Sequence, residues 1–142
     1  MTEHAQATDI PVTCALIEHE DRVLIAQRSG SEARSGLWEF PGGKLEAGED
    51  EASGLIREIS EELNITVKPL QRLSEVVHHY PDKSIRLLPW RCTQIGDQAL
   101  QLTAHTQIKW VRPSELGNYQ LSAADVEVAQ HYIEFLINQT HE

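Results

Sequence analysis

The segment that most constrains the fold runs from Gly42 to Leu63 and reads GGKLEAGEDEASGLIREISEEL. Its second part carries apolar residues at three- and four-residue steps, which is the spacing of one helix face. The pattern predicts a helix over Glu49–Leu63 with a buried stripe made of Ala52, Leu55, Ile56, Ile59 and Leu63. The preceding Pro41-Gly42-Gly43 predicts a turn that cannot extend a strand. Because glycine has no Cβ, this turn also lets the backbone approach a ligand.

The polar face of this helix is densely acidic. Glu58, Glu61 and Glu62 stand at i, i+3 and i+4, so they project from one side, opposite the apolar stripe. Such carboxylates repel one another, and near a helix C-terminus they also oppose the macrodipole. Two interpretations stay open: a solvated acidic surface, or a site for Mg²⁺ or Mn²⁺, which prefer oxygen ligands. Gly54, one turn before Glu58, either leaves room beside the carboxylates or permits a close helix–sheet contact.

The remaining patterns alternate strands and helices. Two apolar runs joined at Glu20-Asp21 predict a hairpin, and Ser122 is predicted to cap the last helix. The predicted strands are Ile10–His19, Arg22–Arg28, Leu37–Phe40, Val67–His79, Ser84–Thr93 and Gln107–Val111; RPSEL predicts a helical turn, and a second helix is predicted over Ala123–Ile137. This order predicts an α/β fold, a mixed sheet flanked by helices in an α/β/α sandwich. Met1–Asp9 is expected to be a loose end and Ser29–Gly36 a surface loop.

Length and charge narrow the functional classes. The chain of 142 residues is expected to form one domain. Its net charge of −10 argues against binding a nucleic-acid polymer or an anionic membrane, and an anionic substrate would need a bound cation. Cys14 and Cys92 lie in apolar runs and are expected to be buried free thiols. No signal sequence or membrane span is visible, so a cytoplasmic protein is expected, either monomer or homodimer.

The acidic segment resembles the signature of the Nudix hydrolase family. That signature is Gly, five residues, Glu, seven residues, then Arg-Glu-apolar-x-Glu-Glu-x-Gly-apolar. Here the matching positions are Gly43, Glu49, Arg57, Glu58, Ile59, Glu61, Glu62, Asn64 and Ile65. The one departure is Asn64 in place of glycine. Asparagine tolerates the left-handed conformation that ends such a helix, so the departure is mild.

The resemblance implies a hydrolase that cleaves a nucleoside diphosphate linked to another moiety, with Mg²⁺ or Mn²⁺ as cofactor. Carried over by position, Glu58, Glu61 and Glu62 would bind the metal together with the Gly42 carbonyl. Arg57 would orient Glu49 through a bidentate pair.

The same resemblance does not decide which glutamate of the helix is the catalytic base. Related enzymes often carry Glu-His ahead of a Trp, and here Ala104 precedes His105. Glu58 or Glu61 is therefore the candidate base. His105 itself is interpreted as a surface or hydrogen-bonded histidine.

The chain is most similar to the MutT-type branch, which removes oxidised guanine nucleotides such as 8-oxo-dGTP. The resemblance implies substrate contacts by Arg28, Phe40, Lys44, Lys83 and Asp125. Lys44 would meet a phosphate, and Asp125 stands where the branch carries a base-reading asparagine. Trp38 would either stack on a base or pack against the sheet.

Three different functions also fit the sequence. A related branch acting on CTP and modified cytosine nucleotides carries an Asp in a similar PAD context. Tyr80 and Pro81 lie in the zone that marks ADP-ribose and dinucleoside polyphosphate hydrolases, although YPD also describes a plain turn. A Nudix-fold module that binds a nucleotide without cleaving it is the third possibility.

Overall fold

The computed structural model describes residues 9–29 and 36–140. The strands are β1 (Ile10–His19), β2 (Arg22–Arg28), β3 (Trp38–Glu39), β4 (Gly42–Lys44), β5 (Thr66–Arg72), β6 (Val76–His79), β7 (Ser84–Ile95) and β8 (His105–Val111). The helices are α1 (Glu51–Leu63), the 3₁₀ helix Pro113–Asn118 and α2 (Ala123–Thr140). The predicted loose end and the 29–36 loop lie mostly outside the described residues. Asp9, where the description begins, is buried.

The sheet is mixed, as predicted. Its central path runs β3-β2-β1-β7-β5, while β4 pairs with β1, β6 with β7 and β8 with β2. Strands β1 and β7 are parallel, and the other pairs are antiparallel. The β1–β2 hairpin turns at Glu20 and Asp21, which both have positive φ, as a type I′ turn requires.

Both faces of the sheet are covered by a helix. Alternate residues of β1 point to opposite faces. Ala15 and Ile17 pack with Leu55 and Ile59 of α1, whereas Leu16 packs with residues of α2 that include Tyr132. The α/β/α sandwich expected from the sequence is confirmed.

Helix α1 begins two residues later than predicted. Asp50 is its N-cap and accepts a hydrogen bond from the Ser53 N–H at 2.7 Å, so Glu49 stays in the preceding loop. The helix ends at Asn64, whose φ of 59° and ψ of 31° are left-handed. The asparagine at the family's glycine position therefore fulfils the same backbone role.

Two strand predictions were wrong. Gly42 and Gly43 do extend a strand, because β4 pairs with β1 at positions where a Cβ on Gly42 would collide with the Thr13 carbonyl oxygen. The single strand predicted over Val67–His79 is two strands, β5 and β6, both paired with β7. The chain leaves the ladder after Arg72, beyond a register shift at Pro69, a residue that has no N–H to donate.

The cysteine prediction is confirmed. Cys14 and Cys92 are both free and buried, and burial raises the pKa of each thiol. Within the part of the chain that the structure describes, no helix is long and apolar enough to cross a membrane.

Candidate active site

A cavity of about 290 Å³ opens between β1, β3, β4, the β6–β7 turn and the start of α2. The substrate-binding residues expected from the sequence line it. They are Arg28, Phe40, Lys44, Lys83 and Asp125, and the lining also includes Gly42 and Glu62. The expected catalytic and metal-binding residues Glu49, Arg57, Glu58 and Glu61 are not among the lining residues. Glu58 and Arg57 contact β4 instead. Strand β4 therefore connects the cavity-lining residues with the catalytic and metal-binding residues of the helix.

The two glycines of β4 allow the backbone of β1 and the carboxylate of Glu58 to approach this strand closely. A Cβ on Gly43 would collide with the Glu58 carboxylate, as a Cβ on Gly42 would with β1. Gly54 has a different role. The space beside it is taken by the side chains of Leu45 and Glu49, and Glu49 Oε1 lies 3.0 Å from the position that a Cβ would occupy. Of the two interpretations of Gly54, the structure favours close packing, although against the loop before the helix and not against the sheet.

Arg57 bridges three carboxylates of the signature. Its Nε and Nη2 donate to the two oxygens of Glu49 at 2.8 and 3.0 Å, so the predicted bidentate pair is present. Its Nη1 contacts Glu58 at 3.0 Å and Glu61 at 3.3 Å, and its Nη2 also donates to the Lys44 carbonyl. The guanidinium lowers the pKa of Glu49 to about 2, and these carboxylates raise the pKa of Arg57.

The metal-binding set predicted from the sequence is only partly assembled. Over residues 9–29 and 36–140, no group of three or more His, Cys, Asp or Glu side chains is arranged to hold an ion. Glu61 is largely exposed and turned to Arg57, whereas Glu62 is half-buried and lines the cavity. Burial, followed by the charges of Glu39 and Glu58, raises the pKa of Glu62 to about 8.

The donor chemistry nevertheless fits a hard divalent cation. Glu62 Oε2 is buried and has no hydrogen-bond partner within residues 9–29 and 36–140, and the missing side chain of Gly43 leaves room for the Glu58 carboxylate against β4. A buried oxygen without a partner carries a desolvation cost that a bound cation would remove. Glu58 and Glu62, with the Gly42 carbonyl, are the residues that would hold such an ion.

Glu39 is a central side chain of the cavity that sequence reasoning missed. Its Oε1 accepts from Arg28 Nη1 at 3.1 Å, and its Oε2 accepts from His105 Nε2 at 2.8 Å. A register shift between Gln27 and Arg28, where Arg28 pairs with His105, re-aims the arginine. The available signal was a charged residue inside the short apolar run LWEF. His105 is buried and hydrogen-bonded, so the surface half of its interpretation was wrong.

Asp125, near the start of α2, lines the cavity and is buried. Its Oδ1 accepts the Phe40 N–H at 3.0 Å, which fixes the carboxyl against the end of β3. Burial and the charge of Glu39 raise the pKa of Asp125 to about 8. At neutral pH the group is therefore largely protonated and can both donate and accept hydrogen bonds, as an asparagine does.

Three buried polar atoms in the cavity wall have no hydrogen-bond partner among the described residues. They are Glu62 Oε2, His105 Nδ1 and Ser122 Oγ. Buried polar groups are normally paired, and an unpaired one costs about 1–3 kcal/mol. These atoms can form hydrogen bonds with the polar atoms of a ligand.

Two aromatic residues, Trp38 and Tyr80, form contacts within the fold. Trp38 is buried and outside the cavity lining, with Tyr119 edge-on at 5.5 Å and Lys109 over its ring. Of its two interpretations, the structure favours packing. Tyr80 and Lys83 exchange backbone hydrogen bonds across the YPDK turn, and the Tyr80 hydroxyl accepts the Ala124 N–H at 3.1 Å.

A family model described as NUDIX domain matches residues 12–131. The chain belongs to the Nudix family. This Nudix protein is 32% identical over 124 residues to the CTP pyrophosphohydrolase of Escherichia coli K12, covering 87% of the chain and 91% of the relative. It is 42% identical over 72 residues to the 8-oxo-dGTP diphosphatase of Proteus vulgaris, covering 51% of the chain and 64% of the relative.

A solved structure supports the same membership. The solution structure of the E. coli ORF135 protein superposes with a TM-score of 0.78 at 31% identity, covering 89% of this chain and 90% of that one. The chain is thus a hydrolase of nucleotide phosphoanhydrides. Nudix hydrolases generally use divalent metal ions.

Proposed function

We propose that this Nudix hydrolase is a Mg²⁺-dependent nucleoside triphosphate diphosphohydrolase that releases pyrophosphate and a nucleoside monophosphate. The observation that carries the proposal is the composition of the cavity. A chain with a net charge of −10 gathers Arg28, Lys44 and Lys83 around one cavity, which the protonated Asp125 also lines. Cations suit a polyphosphate, and a neutral carboxyl suits the polar edge of a base.

The side chains divide the chemistry between them. Lys44 and Arg28 neutralise phosphate oxygens, so that a water molecule can approach phosphorus while pyrophosphate leaves. A bound Mg²⁺ supplies charge neutralisation and a water of lowered pKa. Glu58 or Glu61 accepts the proton of the attacking water, because Ala104, which lines the cavity, offers no carboxylate. Arg57 keeps those glutamates in place beside β4.

The substrate we propose is 8-oxo-dGTP or a related oxidised nucleotide, removed from the precursor pool to protect DNA. A protonated Asp125 can donate to O6 and accept from N7–H, and only the oxidised guanine carries a proton on N7. Unmodified guanine would leave a buried acceptor facing the N7 lone pair, which a polar site rejects strongly. The relative named 8-oxo-dGTP diphosphatase supports this choice.

CTP or a modified cytosine nucleotide is the second candidate. A relative that is matched over 87% of the chain is named CTP pyrophosphohydrolase. A protonated Asp125 also complements cytosine, because it can donate to N3 and accept from the exocyclic amine.

Hydrolysis of ADP-ribose or of dinucleoside polyphosphates, and nucleotide binding without cleavage, have less support. Tyr80 lines the cavity, but its backbone forms a turn and its hydroxyl accepts a bond from α2, so a structural role already explains a tyrosine at this position. A non-catalytic module would lack glutamates that this chain retains. The free, buried cysteines support a cytoplasmic location.

A panel of nucleotides tests the proposal. The wild-type protein is incubated with Mg²⁺ at slightly alkaline pH and 8-oxo-dGTP, dGTP, CTP, dCTP, 5-methyl-dCTP, ADP-ribose or diadenosine tetraphosphate. Pyrophosphate and mononucleotide are both measured. Preference for 8-oxo-dGTP over dGTP supports the first candidate, and preference for cytosine nucleotides the second. Nucleotide binding without any product would mean that the proposed activity is wrong.

A further inference from the structure

Ser122 stands where the sequence predicts a helix cap, but its hydroxyl makes no capping bond. The motif SAAD has the spacing of a capping box, in which Ser122 Oγ would accept the N–H of Asp125. In the structure the hydroxyl has no hydrogen-bond partner among the described residues. The Ser122 carbonyl accepts the Val126 N–H at 3.0 Å, so the backbone still begins the helix there.

One of the donors that a cap could satisfy is already occupied. The Ala124 N–H donates to the Tyr80 hydroxyl at 3.1 Å. This N–H group at the start of the helix therefore does not need the Ser122 side chain.

The hydroxyl lies in the cavity wall and is held there. Ser122 is 3% exposed and lines the cavity together with Asp125. Its N–H donates to the Trp38 carbonyl at 2.9 Å, and the Trp38 N–H donates to the Gln120 carbonyl at 2.9 Å. This pairing fixes the backbone of the segment before α2 against β3, so Ser122 stays in the cavity wall.

We propose that Ser122 is a specificity-determining residue whose hydroxyl hydrogen-bonds the nucleobase beside Asp125. A buried hydroxyl without a protein partner costs free energy, and that cost is recovered when a base supplies a donor or acceptor. The hydroxyl can both donate and accept, so the pair reads a base edge with at least three polar positions. The inference rests on the proposed nucleotide specificity and names a further contact within that site.

The test compares wild type with Ser122→Ala, with Ser114→Ala as the matched control in the 3₁₀ helix, away from the cavity lining. Calorimetric titration with CMP, dCMP, UMP, AMP, dGMP and 8-oxo-dGMP measures base recognition without requiring turnover. We expect Ser122→Ala to weaken the best-bound monophosphate by about 3- to 10-fold and to leave the poorly bound ones unchanged. Ser114→Ala should bind all of them as wild type does.

Several results would overturn the proposal. They are an unchanged dissociation constant for the preferred base, an equal loss for every base, or a loss confined to CMP and absent from dCMP, which would place the contact on the 2′-hydroxyl. Thermal unfolding gives an independent readout. Ser122→Ala should melt at the wild-type temperature or above, because no hydrogen bond is lost, whereas a fall of about 3 °C or more would mean a hidden cap.

The two hypotheses fail separately. If wild type releases no product from any triphosphate, the proposed hydrolysis fails, and the monophosphate titrations still decide the role of Ser122. If wild type turns over its substrate and Ser122→Ala binds every monophosphate normally, only the Ser122 inference fails.

Discussion

His105 Nε2 lies 2.8 Å from Glu39 Oε2, and this bond joins β8 to β3 across β2. The histidine side chain is 2% exposed and the glutamate 15% exposed, so the pair forms part of the cavity wall. With Nδ1 unpartnered among the described residues, the tautomer that fits carries its proton on Nε2 and donates to Glu39. The other Glu39 oxygen accepts from Arg28, so the histidine also determines where that arginine lies.

The first prediction concerns this bond. His105→Leu should lower the free energy of unfolding by about 1–3 kcal/mol, because a partly buried carboxylate oxygen loses its donor. His105→Gln should keep most of the stability, since its amide nitrogen takes the place of Nε2. Urea denaturation of the three proteins checks the prediction. Equal losses for both variants would show that volume, and not the hydrogen bond, matters at this position.

The second prediction concerns the Arg57–Glu49 pair at acid pH. The pKa of Glu49 is lowered from 4.5 to about 2 by Arg57, so the native state releases this proton more readily than the unfolded state does. The stability from this pair is present above pH 4.5 and is lost as the pH falls toward 2. Glu49→Gln should therefore weaken the pH dependence of the melting temperature between pH 4.5 and pH 2. An unchanged pH profile would contradict the pairing.

The third prediction separates the helix glutamates from ordinary surface charges. Glu61→Gln and Glu58→Gln should each lower kcat by about 100-fold or more, because they remove a metal ligand or the base. Glu61→Gln should leave the melting temperature unchanged or raised, since relieving carboxylate repulsion offsets the weakening of an exposed ion pair with Arg57. The control, Glu127→Gln on the exposed face of α2, should retain wild-type kcat. Full activity of Glu61→Gln would exclude a catalytic role.

The fourth prediction follows from the raised pKa of Asp125. Between pH 4 and about 8 the native protein keeps a proton that the unfolded chain releases, so stability falls as the pH rises through this range. Asp125→Asn should remove that part of the decline and raise the melting temperature most at pH 8 and above. The same variant should change the ratio of kcat/KM between nucleobases more than it changes kcat. If neither the pH profile nor the ratio moves, the carboxyl does not read the base.

The fifth prediction concerns Mg²⁺ and Glu62. Because the pKa of Glu62 is raised to about 8, protons compete with a cation for this carboxylate near neutral pH. Mg²⁺ should raise the melting temperature more at pH 8.5 than at pH 6.5, and Glu62→Gln should abolish most of the increase. EDTA should reverse the effect in wild type. An equal rise in Glu62→Gln would mean that the ion binds elsewhere.

Helix α1 shows how far local sequence patterns reach. Apolar spacing located the helix to within two residues of its start, and the carboxylates with Arg57 and Glu49 identified the family signature. These inferences succeeded because helix periodicity and a fixed spacing of charged residues are local properties. The strand at Gly42–Lys44 was missed, because a glycine pair reads as a turn until another strand is placed against it.

The sequence by itself determined most of the elements, the mixed sheet between two helices, and the acidic signature with its arginine. Only the tertiary structure decided which polar groups face the cavity. Glu39, His105 and Ser122 come from distant parts of the chain, and each had an ordinary local interpretation as a strand charge, a surface histidine or a helix cap. Their roles depend on burial and on which partners are already occupied. Both are properties of packing, because segments far apart in the sequence must meet before a polar atom is either satisfied or left for a ligand.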